Sequence, residues 1–341
     1  MRTAIAIAES GIAPDYFTRK GIRLLLKNRL KKQQISDMSE LVRRMSQGPL
    51  ALHTVSANEQ HYEVPARFFE LMLGEQLKYS CGYYDSDRSS LAQAETTMLE
   101  LTMARAGLTD NMDILELGCG WGSLTIAMAT RFPASRITAV SNSNSQREFI
   151  ERRAQKLGLK NISVLTSDIN EFGINETFDR VVSVEMFEHL RNYHRLFELI
   201  ARWLKPDGRL FFHIFCHRDS PYFFSNDSSG DWMARHFFTG GTMPSWDLPM
   251  CFDEHLTLAQ RWEVNGTHYA NTCRDWLENL DRRREEALFV LNSGENPESA
   301  IRQFNRWRMF VMACQELFAF NDGEEWFVGH FLMKPVETGQ P

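Results

Sequence analysis

The sequence predicts an α/β fold with an open, mostly parallel sheet, and a glycine-rich turn is the strongest sign of it. The turn follows the apolar run 114–117 and contains Gly118, Gly120 and Gly122. A helical pattern begins directly afterwards, so strand, glycine turn and helix form the first unit of a nucleotide-binding sheet. Further apolar runs alternate with helical patterns as far as residue 215, which indicates the crossovers of a parallel sheet.

Five strands are predicted in this core, with helices after the first, second and fourth of them. They cover residues 114–117, 136–142, 162–165, 178–184 and 208–215. The first two intervening helices end at Pro133 and at Gly158, because proline cannot continue a helix and glycine closes its last turn. Residues 91–106 are predicted to form the helix that leads into the sheet.

A basic amphipathic helix is predicted over residues 17–32, before the core. Apolar side chains alternate there with seven lysines and arginines. Such a helix either lies on an anionic membrane or packs its apolar stripe on its own protein. We favour packing on the protein, because the apolar set is short and lacks an interfacial tryptophan.

Composition narrows the class of protein. The 341 residues are 43% apolar and 24% charged, as in ordinary soluble globular proteins. The net charge of −6 gives no indication of a nucleic-acid partner. Six scattered cysteines without a C-x-x-C pair favour a reducing, cytoplasmic setting. No run approaches the ~18 apolar residues of a membrane span, so we expect no stable membrane insertion.

Polar side chains follow the predicted strands where each strand ends. Asn142 follows the second strand, Gln146 lies just inside the next helix, and Asp168 and Ile169 follow the third strand. Taken singly, Asn and Asp at such positions are typical caps and turn formers. Because the carboxyl ends of parallel strands meet at one edge of a sheet, we expect them to share a cofactor cleft.

The chemical candidates lie just after the fourth strand, in the segment 185–189. Glu185, Glu188 and His189 would place a proton acceptor beside two carboxylates that orient it and attract a cationic amine. If the turn is α-helical, Glu185 and His189 share a face. Two alternatives are a helix N-terminus with favourable acids and a metal site. Metal-ligand spacing is missing, and the strand end faces the cleft, so we expect catalysis and no metal.

Six blocks along the chain carry a family resemblance. They are Glu185–Tyr193, Phe215–His217, Asp231–Arg235, Phe238–Pro244, Val264–Ala270 and Asn321–Trp326. In this order they resemble the coclaurine N-methyltransferase family, which methylates benzylisoquinoline amines of plants. That family is related to the cyclopropane fatty acid synthases, which methylate a lipid alkene. The resemblance runs from about residue 60 to 335. It is specific for fold and cofactor and weaker for the substrate.

The resemblance implies a Rossmann-like class I methyltransferase sheet that uses S-adenosyl-L-methionine. It also implies a helical N-terminal segment and helical, aromatic insertions that cover the substrate. The implied cofactor-binding residues are Tyr79, Ser80, Gly118, Gly120, Asn142, Gln146, Asp168 and Ile169. The implied catalytic residues, which bind and deprotonate the amine, are Glu185, Glu188 and His189. The implied substrate-binding residues are Tyr62, Glu63, His213 and Tyr269. The synthases hold a bicarbonate base, and Cys81, Glu188, His213 and Tyr269 match the set that holds it.

The expected organisation has three parts. Residues 1–106 form a helical cap with the cofactor-covering loop, 107–216 form the cofactor-binding core, and 217–341 form the substrate lid and the last strands. The expected partner is a small-molecule amine, and a homodimer is also expected.

Two other functions compete with amine methylation. A lipid-modifying enzyme of the cyclopropane synthase type would associate with membranes and use unsaturated phospholipid. A cofactor-binding or scaffold protein without activity would lack the segment of acids and histidine that is present at 185–189.

Overall fold

The fold is built around one seven-stranded sheet. The computed structural model describes residues 2–33, 38–52, 64–224, 231–292 and 297–337. The strands are β1 (Asp113–Leu117), β2 (Arg136–Ser141), β3 (Ile162–Thr166), β4 (Phe178–Val184), β5 (Leu204–His217), β6 (Tyr222–Phe223), β7 (Thr242–Met243), β8 (Leu256–Val264) and β9 (Trp326–Pro335). The large sheet has the order β3-β2-β1-β4-β5-β9-β8, and β6 pairs with β7 separately.

Helices cover both faces of the sheet and extend over its carboxyl edge. They are α1 (Arg2–Glu9), α2 (Asp15–Gln33), α3 (Met38–Met45), α4 (Ala66–Met72), α5 (Leu91–Arg105), α6 (Ser123–Arg131), α7 (Asn144–Leu157), α8 (Tyr193–Trp203), α9 (Trp232–His236), α10 (Gly266–Arg282), α11 (Arg284–Leu291) and α12 (Pro297–Phe318). Short 3-10 turns lie at Phe187–His189, Leu248–Cys251 and Phe320–Gly323.

The predicted parallel core is confirmed, and the C-terminal part of the chain completes the sheet. Strands β1 to β5 pair in parallel, whereas β9 runs antiparallel between β5 and β8. Strand β5 begins at Leu204, earlier than expected, because Leu204 pairs with Phe178 across the sheet. The segment between Leu204 and the predicted strand start at residue 208 is rich in turn residues, so local sequence did not indicate a strand there.

Many aromatic side chains of the C-terminal third of the chain are buried. Trp276 and Phe304 are buried where α10 packs on α12, and Trp326 is buried in β9. Each such burial contributes about 1.5–3 kcal/mol of hydrophobic stabilisation. The contact of α10 with α12 therefore holds a helical layer over the carboxyl ends of the strands.

Helix α2 confirms the predicted basic helix, and it docks by one face only. Leu26 is buried, and Arg19 and Arg23 form ion pairs with the carboxylate of Glu316 on α12. The side chains of Phe17 and Leu24 on the same helix are 65% and 60% exposed. The favoured packing on the protein is thus confirmed for one face of the helix.

The predicted division of the chain at residues 106 and 216 stays a prediction. The second boundary falls within strand β5, which pairs with β9 on both sides of residue 216. Within the described ranges, the structure has no helix that combines the length and the apolarity needed to cross a membrane.

Candidate active site

A cavity of about 1660 Å³ lies at the carboxyl ends of β1 to β4. The strand ends form its floor, and α10, α12 and the N-terminal helices α1 and α2 form its other walls. Parallel α/β sheets bind ligands at this edge. The cavity therefore lies where the sequence predicted the cofactor cleft.

All eight predicted cofactor-binding residues line this one cavity. They are Tyr79, Ser80, Gly118, Gly120, Asn142, Gln146, Asp168 and Ile169. The backbone of Gly118 has a φ of 77°, and a Cβ there would lie 2.7 Å from Cγ of Met186. Only glycine fits such a position without strain, because any side chain there would adopt an unfavourable backbone and meet Met186. The glycine cradle and the polar strand ends fit a nucleoside-bearing cofactor.

The polar residues at the strand ends also act as caps and turn formers, besides lining the cavity. Ser143 caps α7 by accepting a hydrogen bond from the backbone N–H of Gln146. The side chain of Gln146 accepts one from Ser141 at 2.7 Å. The carboxylate of Asp168 accepts the N–H of Asn170 at 2.8 Å. These local bonds fix the side chains that line the cavity.

Glu185 lines the cavity at the end of β4, and three other segments contact its carboxylate. Oε1 accepts the backbone N–H of Cys81 at 3.0 Å and lies 3.1 Å from Nε2 of His213. Oε2 accepts the hydroxyl of Tyr269 at 2.5 Å. The backbone of Glu185 has a φ of 50°, an uncommon left-handed conformation for a residue with a side chain. Such strain at a cavity wall is typical of functional sites.

Burial and neighbouring charges tune this acid for proton exchange near neutral pH. Burial raises the pKa of Glu185 to about 7, against the opposing effects of Lys78, Tyr269 and the Cys81 N–H. Burial also lowers the pKa of the Lys78 ammonium, while Glu185 raises it. The pKa of His213 is lowered well below its usual value by burial, then by Lys78 and Arg105. A neutral histidine therefore faces an acid that can take or release a proton.

Glu188 does not reach the cavity wall, contrary to the sequence prediction. Its side chain is fully buried, and Oε1 accepts the backbone N–H of Phe215 at 2.7 Å. Burial, and then the nearby charge of Glu185, raise its pKa well above the usual value. Glu188 thus ties the turn after β4 to strand β5.

His189 does line the cavity, although the turn that carries it is not α-helical. Glu185 lies before a 3-10 turn over Phe187–His189, so the condition under which Glu185 and His189 would share an α-helical face is not met. The imidazole of His189 stacks on the ring of Phe238, with centroids 5.5 Å apart. Glu185 and His189 nevertheless meet at the same cavity, because the short turn folds back on itself.

Among the residues that match the bicarbonate-binding set of the synthases, three surround Glu185, although the matched acid is Glu188. Cys81, His213 and Tyr269 all contact Glu185, and Glu188 has other partners. Tyr269 lines the cavity, whereas His213 lies behind Glu185 inside the sheet. The proposed substrate-side pair, Tyr62 and Glu63, lies outside the described residues.

Three residues near Glu185 escaped sequence reasoning. Lys78 is buried beside the cofactor loop, and its ammonium donates to the hydroxyl of Ser80. His330 and Arg105 lie behind His213. Each of the three appears in the sequence only as a lone polar residue in an apolar segment, and such a residue gives no indication of its partner.

Elsewhere in the described part of the chain, His194, Glu254 and His255 form a group that could hold a metal ion, away from the cavity.

The open sheet, the glycine cradle and the cavity at the strand ends define a class I S-adenosylmethionine-dependent methyltransferase. The chain belongs to the family of the mycolic acid cyclopropane synthetases, whose model matches residues 51–325.

Individual relatives show which kinds of enzyme within this family the chain is similar to. The (S)-coclaurine N-methyltransferase of Thalictrum flavum subsp. glaucum is 37% identical over 96% of this chain and 93% of its own length. A crystal structure of coclaurine N-methyltransferase bound to N-methylheliamine and SAH has a TM-score of 0.94 at 32% identity, covering 97% of this chain and 99% of that one. The cyclopropane-fatty-acyl-phospholipid synthase of Escherichia coli (strain K12) is 28% identical over 82% of this chain and 68% of its own length.

These matches confirm the predicted fold class, the cofactor S-adenosylmethionine and the N-methyltransferase activity. The roles of the individual site residues stay predictions, as does the homodimer.

Proposed function

We propose that the chain transfers a methyl group from S-adenosylmethionine to the nitrogen of a small, largely apolar amine. The observation that carries this proposal is the carboxylate of Glu185, which faces an apolar cavity at the strand ends with a pKa of about 7. The named relatives that act on coclaurine support it. A cytoplasmic, reducing setting fits the six free cysteines, and a homodimer is part of the proposal.

An amine must lose its proton before it can attack a methyl group, because an ammonium ion has no lone pair. Glu185 and His189 both face the space in which the amine would lie, and each can accept that proton. S-Adenosylmethionine, when bound, supplies a methyl group activated by its positive sulfur. The residues must hold the amine nitrogen roughly 3–3.5 Å from that methyl group.

Aromatic rings near the two proton acceptors suit a cationic substrate. Phe215, Phe238 and Tyr269 line the cavity close to Glu185 and His189. The faces of such rings attract an ammonium group, by about 0.5–2 kcal/mol per contact. The carboxylate of Glu185 attracts the same group before it accepts the proton. Together these groups can bind a protonated amine and then release its lone pair.

The decisive experiment measures transfer of a labelled methyl group to a panel of substrates. Purified protein is incubated with labelled S-adenosylmethionine and either benzylisoquinoline and other secondary amines or vesicles of unsaturated phospholipid. We expect methylation of one or more amines and none of the lipid. Methylation of the phospholipid alone would contradict the proposal and establish the cyclopropane synthase alternative.

His189→Ala is expected to lower kcat by about 10²-fold, because a proton acceptor beside the amine is removed. Binding of S-adenosylmethionine, measured by calorimetry, is expected to stay close to that of the unchanged protein. His194→Ala is the control, since His194 lies outside the cavity. A turnover rate equal to that of this control would reject His189 as a proton acceptor.

Tyr269→Phe is expected to move the acid limb of the pH–rate profile to higher pH. The hydroxyl of Tyr269 donates to the ionised carboxylate of Glu185 and lowers its pKa. Without that bond the carboxylate is protonated at higher pH, so the rate at pH 6 falls more than the rate at pH 9. Tyr84→Phe removes a hydroxyl that contacts Asp275 instead and serves as the control. A profile that moves to lower pH would contradict this assignment.

A further inference from the structure

A line of hydrogen bonds runs from the cavity into the sheet, and we call it the histidine line: Glu185, His213, His330 and Arg105. Nε2 of His213 lies 3.1 Å from Oε1 of Glu185. Nδ1 of His213 lies 3.0 Å from Nε2 of His330, and Nδ1 of His330 lies 2.8 Å from a terminal nitrogen of Arg105. Both imidazole rings are fully buried. Each of their ring nitrogens thus has one protein partner and no access to solvent.

Sheet geometry holds the members of this line in place. His213 on β5 and His330 on β9 lie directly opposite each other in the antiparallel pairing. Trp262 on β8 lies opposite His330 on its other side. The guanidinium of Arg105, the last residue of α5, stacks 5.1 Å from the ring centre of Trp262. The distances between the members are therefore set by strand pairing and by one stacked arginine.

Arginine determines the direction of donation along the line. A guanidinium carries only donors, so Nδ1 of His330 must accept from Arg105. In a neutral ring the proton then sits on Nε2 of His330, which donates to Nδ1 of His213. The proton of His213 is left on Nε2, where it donates to Glu185. Burial lowers the pKa of both histidines well below the usual value, so both rings are neutral at pH 7.

We propose that Arg105, acting through His330, is a positioning residue for methyl transfer, because it fixes the tautomer that makes His213 donate to Glu185. The inference rests on the proposed function, in which Glu185 accepts the amine proton. In the opposite tautomer, a ring lone pair of His213 would face the carboxylate and repel it. Since arginine accepts no proton, the line cannot carry the amine proton away through the sheet, and that proton leaves through the cavity.

Several charged and titratable groups face Glu185, and the test must separate Arg105 from them. Lys78 and Cys81 face it from the loop before α5, and Tyr269 faces it from α10. Glu188 is an acid close enough for its charge to interact with that of Glu185. Lys78 also acts on both histidines. A pH profile alone would mix these contributions, so the tautomers must be observed directly.

The test is ¹⁵N NMR of histidine-labelled full-length protein, together with kcat, KM and the pH–rate profile. We expect His213 and His330 of the unchanged protein to carry their protons on Nε2. In Arg105→Met we expect mixed tautomers on both rings, a kcat lower by about tenfold, an unchanged KM for S-adenosylmethionine and an acid limb at higher pH. Arg105→Lys keeps a donor and is expected to restore a single tautomer.

Arg180→Met is the matched control, since Arg180 is also half-buried and its guanidinium donates to the backbone carbonyl of Ala106, next to Arg105. It is expected to leave both tautomers unchanged. A proton on Nδ1 of either histidine in the unchanged protein would overturn the proposal, and so would unchanged tautomers in Arg105→Met. If Arg105→Met does not fold, the spectrum of the unchanged protein decides. Full activity of Glu185→Gln would instead reject the role of Glu185, and the spectra would still test the line.

Discussion

Glu185→Gln is expected to lower kcat by about 10²- to 10³-fold, the largest loss among the cavity side chains. A glutamine amide cannot accept a proton from the amine, and it offers no negative charge to attract an ammonium group. One end of the amide would also place N–H groups against the hydroxyl of Tyr269 or the N–H of Cys81. Stopped assays with the best amine of the panel, at pH 6 to 9, measure the loss.

Two control variants distinguish the loss of kcat caused by removing the proton acceptor from a loss caused by a disturbed structure. Glu325→Gln removes an acid outside the cavity and is expected to keep full activity. Glu188→Gln is expected to lose far less activity than Glu185→Gln, because a glutamine oxygen can still accept the N–H of Phe215. The reverse order, with Glu188→Gln the more damaging change, would show that the wrong acid has been assigned as the proton acceptor.

Gly118→Ala is expected to weaken binding of S-adenosylmethionine by more than tenfold, which is about 1.4 kcal/mol or more. The left-handed backbone at this glycine costs a side-chain residue about 1–2 kcal/mol. The new methyl group would also lie 2.7 Å from Cγ and 2.8 Å from Cβ of Met186. Relief of that clash must move either the cavity floor or the segment that leads into Glu185. Calorimetric titration of the cofactor measures the effect.

Gly158→Ala controls for backbone strain alone. Gly158 ends α7 with a φ of 70°, and a Cβ there would meet open space. We expect this variant to lose thermal stability and to bind the cofactor normally. Equal cofactor binding by the two variants would mean that the close approach at Gly118 does not shape the cleft.

The cofactor end of the site was predictable from sequence because each of its parts is local. The three glycines lie within five residues, and Asn142 and Asp168 each follow an apolar strand. Parallel pairing then brings strand ends together at one edge, whatever the details of packing. For this reason two of these glycines and the residues that follow β2 and β3 line one cavity. Tyr79 and Ser80 also line it, but they come from the loop before α5 and were implied only by the family resemblance.

The part of the site that contains the proton acceptors was only partly predictable from sequence. Sequence placed Glu185 and His189 at the cavity, but it could not tell Glu185 from Glu188, three residues away. The left-handed backbone at Glu185 and the 3-10 turn after it direct the two carboxylates to different environments. A hydrogen bond from the Phe215 N–H helps to hold the side chain of Glu188 in the core. These details depend on contacts with β5 that no local pattern encodes.

Sequence by itself determined the alternation of strands and helices and the glycine turn, because these follow from periodicity and from the conformational freedom of glycine. The class of cofactor followed from the resemblance of the sequence to a known family. Only the tertiary structure decided which acid faces the substrate and what holds it there. Cys81, His213 and Tyr269 come from distant parts of the chain, and His330 lies 117 residues from His213. They meet at Glu185 because strand pairing and helix packing fix positions in space that sequence separation does not reveal.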